Sequence, residues 1–357
     1  MNQTLSPPAG APPGLAHPVG RVAAADEASH AAEGTDALAR EYRPLALSCV
    51  IPCRNEAANL ARLLPLLSST LTECSSRWEV ILVDDGSTDA TALLSATWAQ
   101  SSGFRVIQLS RNFGKEAALT AGLQAACGDV VVMMDADLQH SPSLIPTFVK
   151  HWRSGADVVY AVREDRRDEG VFKRMGARLF YALVNAADRF EVPAGAGDFR
   201  LMDRKVVDAL LSLPERNRFM KGLYSWVGFP AVAVKYAPEQ RTQGHSHFSP
   251  LRLIRLSLDG LTAFTTWPLR AVSLVGFALA ALAFLYGAYL TATYLLYGGD
   301  VSGWTTIVVS LMLFAGLQMI SLGIVGEYIG RIFEEVKARP LFVVKRELGQ
   351  GLKAPRP

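Results

Sequence analysis

Acidic side chains follow the apolar runs of this sequence, most clearly in the segment 131–139, Val-Val-Met-Met-Asp-Ala-Asp-Leu-Gln. Its apolar part is typical of a buried parallel strand, and ligands of open α/β sheets bind at the carboxyl ends of such strands. Asp135 and Asp137 are two residues apart, so in an extended segment both can face one cation. Mg²⁺ or Mn²⁺ accepts two carboxylates together with substrate phosphate oxygens. The segment predicts a nucleotide-phosphate site with a metal, although Asp-x-Asp alone fits a solvated acidic turn equally well.

Three β-α units precede this segment and would position it. Apolar runs at 45–51, 78–83 and 104–109 predict strands, and each is followed by a polar turn and a helical pattern. Further strands are predicted at 157–163 and, after Pro340, at 341–344. Repeated β-α units favour an α/β fold with a mostly parallel, doubly wound, Rossmann-like sheet and right-handed crossovers.

The polar turns carry motifs that together resemble a known family. In chain order they are Pro52-x-x-Asn55-Glu56, Asp84-Asp85-Gly86-Ser87-x-Asp89, Arg111-Asn112-x-Gly114-Lys115 and Asp135-x-Asp137-Leu138-Gln139. This order resembles the inverting family 2 glycosyltransferases of the GT-A fold. The branch that it resembles is the polyprenyl-phosphate glycosyltransferases, which include dolichyl-phosphate mannose synthase and bacterial undecaprenyl-phosphate enzymes.

The resemblance implies a role for individual residues. It implies that the metal is held by Asp135 and Asp137, and that the sugar nucleotide, a UDP- or GDP-sugar, contacts Pro52, Arg54, Glu56, Asp84, Asp85, Lys115, Asp135 and Arg241. Arg54 stands where many relatives carry an aromatic or small residue, so the nucleobase stays open.

The acceptor side is implied by residues 195–203, which resemble the family segment that carries a functional aspartate. Asp198 is a candidate base or a positioning group, and we favour positioning because a lipid phosphate with a second pKa near ~6 is already largely dianionic. Asp137, Asp198 and Arg200 form the candidate catalytic set. Arg200 and Arg241 suit a phosphate clamp, with surface ion pairs as the alternative. His245 and His247 fit a substrate loop better than a metal pair.

The last third of the chain predicts a membrane anchor. The runs 269–296 and 304–325 are long and apolar enough to span ~30 Å of hydrocarbon. Residues 250–264 have the pattern of an interfacial amphipathic helix, or of a helix under the sheet. Lys and Arg flank both spans but are absent from the connector, which places both termini and the catalytic domain in the cytoplasm.

These patterns divide the chain into five parts. We expect a disordered tail at 1–43, a GT-A catalytic domain at 44–248, an interfacial helix at 249–266, two transmembrane helices at 267–326 and a cytoplasmic juxtamembrane tail at 327–357. A net charge of +3 does not favour nucleic acid, and the four cysteines have no metal or disulfide spacing. We see no secretory signal pattern.

The sequence therefore predicts a multi-pass glycosyltransferase, a hexosyltransferase, of the bacterial inner membrane. It would transfer a sugar from a nucleotide diphosphate sugar to undecaprenyl or another polyprenyl phosphate, with Mg²⁺ or Mn²⁺ and with inversion. A homo-oligomer, a tetramer, is a further implication of the resemblance. The alternatives are a family 2 synthase that extends a polysaccharide and an inactive membrane-anchored protein that binds sugar nucleotides.

Overall fold

The structure is a computed structural model, and it describes residues 40, 43–163, 196–216, 218–236, 267–297 and 303–353. The chain divides into two compact units. Of the described residues, Arg40, Arg43 and Arg153–Gly155 fall in one unit, and those between 44 and 152 and from 156 onward fall in the other. The second unit carries the sheet and the site residues discussed below.

One mixed sheet of eight strands forms the centre of this unit, in the order β7-β5-β6-β4-β1-β2-β3-β8. The strands are β1 Ala46–Cys53, β2 Arg77–Asp84, β3 Phe104–Leu109, β4 Val130–Met133, β5 Val158–Arg163, β6 Ala196–Asp203, β7 Ala231–Tyr236 and β8 Val344–Gly349. The helices are α1 Ala57–Cys74, α2 Thr91–Trp98, α3 Lys115–Ala125, α4 Ile145–Arg153, α5 Arg204–Ser212, α6 Met220–Trp226, α7 Trp267–Tyr297 and α8 Trp304–Val336.

The central strands are buried on both faces, which explains why their sequences are continuously apolar. On one face the sheet packs against α1, whose buried leucines follow the helical period at Leu60, Leu63, Leu64, Leu67 and Leu71. On the other face it packs against α3, α5 and α6, which contribute Leu119, Leu210 and Leu223 to a second core. The predicted doubly wound α/β architecture is confirmed.

Parallel and antiparallel pairs share this sheet. The pairs β1/β2, β1/β4, β2/β3 and β5/β7 are parallel, whereas β6 runs antiparallel between β4 and β5. The eighth strand, β8, is antiparallel to β3. Because β6 is antiparallel, its first residues lie beside the carboxyl end of β4. The resemblance marked residues 195–203 as a functional segment, but the sequence analysis predicted neither a strand there nor its direction.

The C-terminal tail differs from our expectation. We predicted a short strand over residues 341–344, but the strand runs over Val344–Gly349 and completes the edge of the catalytic sheet. Ser110 N–H also donates to the carbonyl of Val343 at 2.9 Å. The tail that follows α8 is therefore part of the sheet.

Among the described residues, two helices near the C-terminus are long and apolar enough to cross a membrane, over Val272–Leu296 and Thr306–Val336. Large apolar side chains such as Phe284, Leu313 and Ile320 are exposed along them. The second helix continues past the predicted span as one helix to Val336. The predicted interfacial helix at 249–266 and almost all of the predicted tail at 1–43 lie outside the described residues.

Candidate active site

The carboxyl ends of β4, β1 and β2 are neighbours in the sheet, and the predicted acidic residues follow them. Asp135 and Asp137 follow β4, Glu56 follows β1, and Asp84 ends β2. Met133, the last residue of β4, pairs with Arg200 of β6, so Asp198 lies just beyond the end of β4. Four segments that are far apart in sequence thus meet at the carboxyl ends of the central strands.

Lys115, the first residue of α3, joins two of these segments. Its ammonium lies 2.6 Å from Asp135 Oδ1 and 2.6 Å from Asp198 Oδ2. Burial alone would lower the pKa of Lys115, but the charges of the two carboxylates outweigh burial and raise it. Burial would raise the pKa of Asp198, whereas Lys115, and then Lys221 and Arg200, bring it below its usual value. The site therefore holds Asp198 as a carboxylate and Lys115 as a cation.

Asp137 is held by the turn that follows it. Its Oδ1 accepts the backbone N–H of Gln139 at 3.1 Å and its Oδ2 accepts the Gln139 side-chain amide at 2.6 Å. Between them Leu138 has a φ of 60°, the left-handed region that is rare for a residue with a branched side chain. Strain of this kind is concentrated at ligand-binding sites. These two hydrogen bonds fix the orientation of the Asp137 carboxylate within its turn.

The two acids at the end of β2 are buried and bound by the protein itself. Asp84 accepts the N–H of Ser87 at 2.9 Å and the side-chain amide of Gln108 at 3.1 Å. Asp85 accepts the backbone N–H groups of Phe113 and Gly114 at 2.7 and 3.0 Å. Asp85 thereby anchors the loop that leads into α3 and sets the position of Lys115.

A glycine lets this loop approach closely. Gly86 has a φ of 67°, and a Cβ there would lie 2.6 Å from the backbone carbon of Arg111. No other residue fits this position without moving the Arg111 loop. The turn after β2 and the loop before α3 are therefore one packed unit.

The loop after β1 is tied to the turn after β2. Asn55 N–H donates to Ser87 Oγ at 3.0 Å, and Glu56 N–H donates to Thr91 Oγ1 at 2.8 Å. The Glu56 carboxylate accepts the amide of Asn59 at 2.6 Å. Burial first, and then the charges of Asp137 and Asp135, raise the pKa of Glu56. Glu56 therefore shares the electrostatic field of the Asp-x-Asp segment.

The first two residues of the predicted nucleotide side differ in exposure. Pro52, near the end of β1, is buried and pairs with Val83, whereas the next residue but one, Arg54, is exposed. The roles of both toward a nucleotide stay predictions. Arg241, His245 and His247 lie outside the described residues.

Arg200 is buried under the site, with 4% of its surface exposed. Its guanidinium carbon lies 3.4 Å from the centroid of the Tyr224 ring, and its Nη2 donates to the carbonyl of Gly197 at 2.7 Å. Its Nε has no hydrogen-bond partner among the described residues. Arg200 therefore supports the start of β6, and its Nε–H has no acceptor among the described residues. The predicted phosphate contact stays a prediction.

Two family models and several known proteins are similar to this chain. The sequence model of glycosyl transferase family 2 matches residues 48–211, and a model described as the GtrB C-terminal hairpin matches residues 267–332. An uncharacterized glycosyltransferase of Synechocystis sp. is 43% identical over 84% of this chain and 94% of its own length. The prophage-derived bactoprenol glucosyl transferase of Shigella flexneri is 41% identical over 84% of this chain and 97% of its own.

The chain belongs to glycosyl transferase family 2. Its C-terminal hairpin is the part that the GtrB description covers. A solved glucosyl-3-phosphoglycerate synthase of Mycobacterium tuberculosis aligns with a TM-score of 0.42 at 22% identity, over 61% of this chain and 78% of that one.

The donor set of this glycosyltransferase can be compared with the needs of a divalent ion. Among the described residues no three His, Cys, Asp or Glu side chains are grouped for a metal, so the protein would supply the carboxylates of Asp135 and Asp137. Mg²⁺ is commonly held by one or two carboxylates, with substrate phosphates and water completing the octahedron. Asp135 Oδ1 is bound to Lys115, but Oδ2 makes no hydrogen bond to any described residue. The residues fit such an ion.

Sequence reasoning missed three residues that the structure brings to the site. Glu116 lies next to Lys115, and His140 packs between Phe199 and Tyr236 with ring centroids at 5.1 and 5.0 Å. The third, Tyr224, lies on α6 under Arg200. The signals for the first two were their positions directly beside Lys115 and Gln139. Tyr224 had no local signal, because its place depends on the packing of α6 against β6.

Proposed function

We propose that the protein transfers a sugar from a nucleotide diphosphate sugar to a polyprenyl phosphate. The observation that carries this proposal is the single ammonium of Lys115, which joins Asp135 of the metal segment to Asp198 of the acceptor segment. Three relatives at 40–41% identity are named bactoprenol glucosyl transferases, which supports a lipid-linked acceptor of this class. The two apolar C-terminal helices would keep the site near such a lipid.

The reaction would be a direct displacement. A phosphate oxygen of the lipid attacks the anomeric carbon as the bond to the nucleotide diphosphate breaks, so the configuration inverts and the nucleotide diphosphate leaves. The lipid phosphate is already largely ionised at neutral pH, so no strong base is required. Orientation and charge stabilisation would supply most of the rate enhancement.

A divalent ion, Mg²⁺ or Mn²⁺, would be held by Asp135 and Asp137 and would neutralise charge on the diphosphate leaving group. Lys115 would fix Asp135 toward the donor and Asp198 toward the acceptor. Arg200, stacked on Tyr224, would hold the backbone at Gly197 in place and offer its remaining donor to a phosphate. Glu56, Asp84 and Asp85 would position the loops that contact the nucleotide of the donor.

The experiment is a transfer assay with a panel of labelled UDP- and GDP-sugars and undecaprenyl phosphate, with Mg²⁺, Mn²⁺ or a chelator. We expect one sugar nucleotide to give a labelled, chloroform-extractable lipid only when metal is present. A labelled polymer that stays in the insoluble fraction would indicate a synthase. Nucleotide binding without any transfer would indicate an inactive binding protein.

The cytoplasmic orientation is also a proposal. The pairing of β8 with β3 ties the residues that follow α8 to the catalytic sheet, which supports placing the C-terminus and the catalytic domain on one side. The Lys and Arg residues beyond both spans favour the cytoplasm. A reporter fused after Pro357 should report cytoplasm, and one inserted near Gly299 should report the opposite side. Two reporters on the same side would contradict a hairpin of two spans. The homo-oligomer stays a prediction.

A further inference from the structure

The two residues that begin α3 contact different parts of the site. The ammonium of Lys115 is paired with the carboxylates of Asp135 and Asp198. The backbone N–H of Met220, the first residue of α6, faces the carboxyl group of the next residue, Glu116, and acts to lower its pKa. The start of α3 therefore links the Asp-x-Asp segment, β6 and α6.

The carboxyl group of Glu116 is incompletely satisfied. Its Oε2 is buried and has no hydrogen-bond partner among the described residues. Titratable and charged groups face it from three elements, and these are Lys115 on α3, Asp198 and Arg200 on β6, and Lys221 and Tyr224 on α6. A buried oxygen without a donor is costly when the group is ionised and less so when it carries the proton itself.

Glu116 and Asp198 are two carboxyl groups with opposite electrostatic surroundings. Asp198 is stabilised as an anion by Lys115 at 2.6 Å. Burial first, and then the negative charge of Asp198, raise the pKa of Glu116 to about 7. Two acids whose environments separate their pKa values in this way have different functions in a site. Here Asp198 is the anion, and Glu116 is the neutral acid below neutral pH.

The acceptor is itself an anion that must approach Asp198. In the described part of the chain, three cations face Asp198 and Glu116. Lys115 is paired with two carboxylates and Arg200 is buried. Lys221 makes no hydrogen bond or ion pair to a described residue. An ionised Glu116 would compete with an incoming phosphate for Lys221 and would repel it. A neutral Glu116 leaves this cation to the phosphate.

We propose that Glu116 is a positioning residue of the acceptor side, a carboxyl group kept neutral so that a phosphate dianion can be bound beside Asp198 and Lys221. This inference rests on the proposed function and adds a condition to it. The site accepts the lipid phosphate best while Glu116 is protonated, and binding weakens when Glu116 loses its proton.

The test is the KM for undecaprenyl phosphate from pH 5.5 to 9 in the full-length protein, compared with the KM for the donor. In the wild type the acceptor KM should rise about fivefold or more as the pH increases through 7, with little change in the donor KM. In Glu116→Gln, which is neutral at every pH, the acceptor KM should stay low. Ionisation of the lipid is common to both proteins, so the difference between them isolates Glu116.

Two further variants complete the test. Glu73→Gln, at an exposed position on α1, is the matched control and should follow the wild-type profile. Glu116→Asp keeps an ionisable group and should keep the alkaline rise at a shifted pH, which provides a measurement if the Gln variant does not fold. A merely structural Glu116 would change yield or kcat without changing the pH dependence of the acceptor KM. Parallel acceptor profiles in the wild type and in the Glu116 variants would overturn the proposal.

The proposed function and this inference fail in distinguishable ways. If the wild type transfers no sugar to the lipid at pH 6.5 with any donor, the proposed function is wrong and the inference falls with it. If transfer is measured and the donor KM shows the same pH dependence as the acceptor KM, only the acceptor-side role of Glu116 is overturned.

Discussion

The amino ends of the parallel strands contain a buried acid that is fully satisfied by the chain. Glu79 on β2 has no exposed surface, and it accepts the hydroxyl of Ser48 at 2.6 Å and the N–H groups of Cys127 and Leu352 at 2.9 Å each. These donors come from β1, from the loop before β4 and from the segment after β8. One carboxylate thus ties the C-terminal tail to the centre of the sheet.

At the carboxyl ends of the same strands, some acids are not fully satisfied by the chain. Asp135 and Asp198 share one ammonium, and Glu116 has a buried oxygen without a partner in the described part of the chain. Completed hydrogen bonds lower the free energy of the folded state, whereas shared or missing ones leave capacity for a ligand. Burial alone therefore does not identify a functional acid. The number of hydrogen bonds that the chain itself supplies distinguishes Glu79 from Glu116.

The largest expected effect is at the carboxyl end. Asp137→Asn replaces an anionic metal ligand with a neutral one, so we expect transfer to fall about a thousandfold, equivalent to about 4 kcal/mol of transition-state stabilisation. Circular dichroism should be unchanged, because the Gln139 contacts are local to the turn. Asp208→Asn, at an exposed position on α5, is the control and should keep wild-type activity. Full activity in Asp137→Asn, or undiminished activity with a chelator, would contradict the metal assignment.

The second prediction tests the amino end. Glu79→Ala leaves Ser48 and two backbone N–H groups without their acceptor and creates a small cavity, so we expect about 3 kcal/mol of destabilisation. The melting temperature should fall by roughly 5 °C or more, while activity per folded molecule is unchanged. The control is Glu347→Ala, which removes a half-exposed ion pair to Arg105 and should cost less than about 1 kcal/mol. A Glu79 variant with normal stability and reduced kcat would contradict the purely structural role of Glu79.

Part of this comparison could be predicted from the sequence. The apolar runs and the acids after them fixed the positions of β1, β2 and β4, because the buried parallel strands have continuous apolar sequences. The ion pair between Lys115 and Asp198 could not be predicted, since the two residues are 83 positions apart and meet only when β6 inserts beside β4. Long-range pairing of this kind has no local pattern.

The last strand shows the same limit in another form. The apolar residues 341–344 favoured a strand there, but β8 is the polar segment that follows, Val-Lys-Arg-Glu-Leu-Gly. An edge strand with exposed side chains is held by backbone hydrogen bonds to β3 and has no need of an apolar sequence. Periodicity therefore located the general region and missed the register.

A third prediction concerns Arg200, whose guanidinium is stacked on Tyr224. Arg200→Lys removes the planar fork and the stacking contact, so we expect kcat/KM to fall about tenfold, or about 1.4 kcal/mol, with a small loss of stability. Separate titrations of donor and lipid would show which phosphate it binds. Arg218→Lys is the matched control, because Arg218 is also buried and donates to the carbonyls of Leu210 and Leu213. It should lower stability and leave kcat/KM nearly unchanged. Near-wild-type kinetics for Arg200→Lys would refute the clamp.

The smallest expected effect is a pH-dependent difference in stability at Glu116. The folded pKa of about 7 lies above the usual value of 4.5, so the unfolded chain releases this proton at lower pH than the folded protein does. The stabilisation associated with the neutral acid is therefore complete below about pH 4.5, is lost as the pH rises toward 7, and then stays constant. Asp198 has a lowered pKa, so its contribution changes only in acid, below this window.

Glu116→Gln lacks this titration, which makes it the reference for the wild type. The melting temperature of Glu116→Gln minus that of the wild type should increase by a few degrees between pH 4.5 and 7, on the order expected for a partly buried carboxyl group. Above pH 7 the difference should remain constant. Differential scanning fluorimetry in detergent at half-unit pH steps measures it, with Glu73→Gln as the variant whose difference from the wild type should not change. A difference that shrinks as the pH rises would mean that Glu116 is ionised in the folded state, and the two ends of the sheet would then hold their acids in the same way.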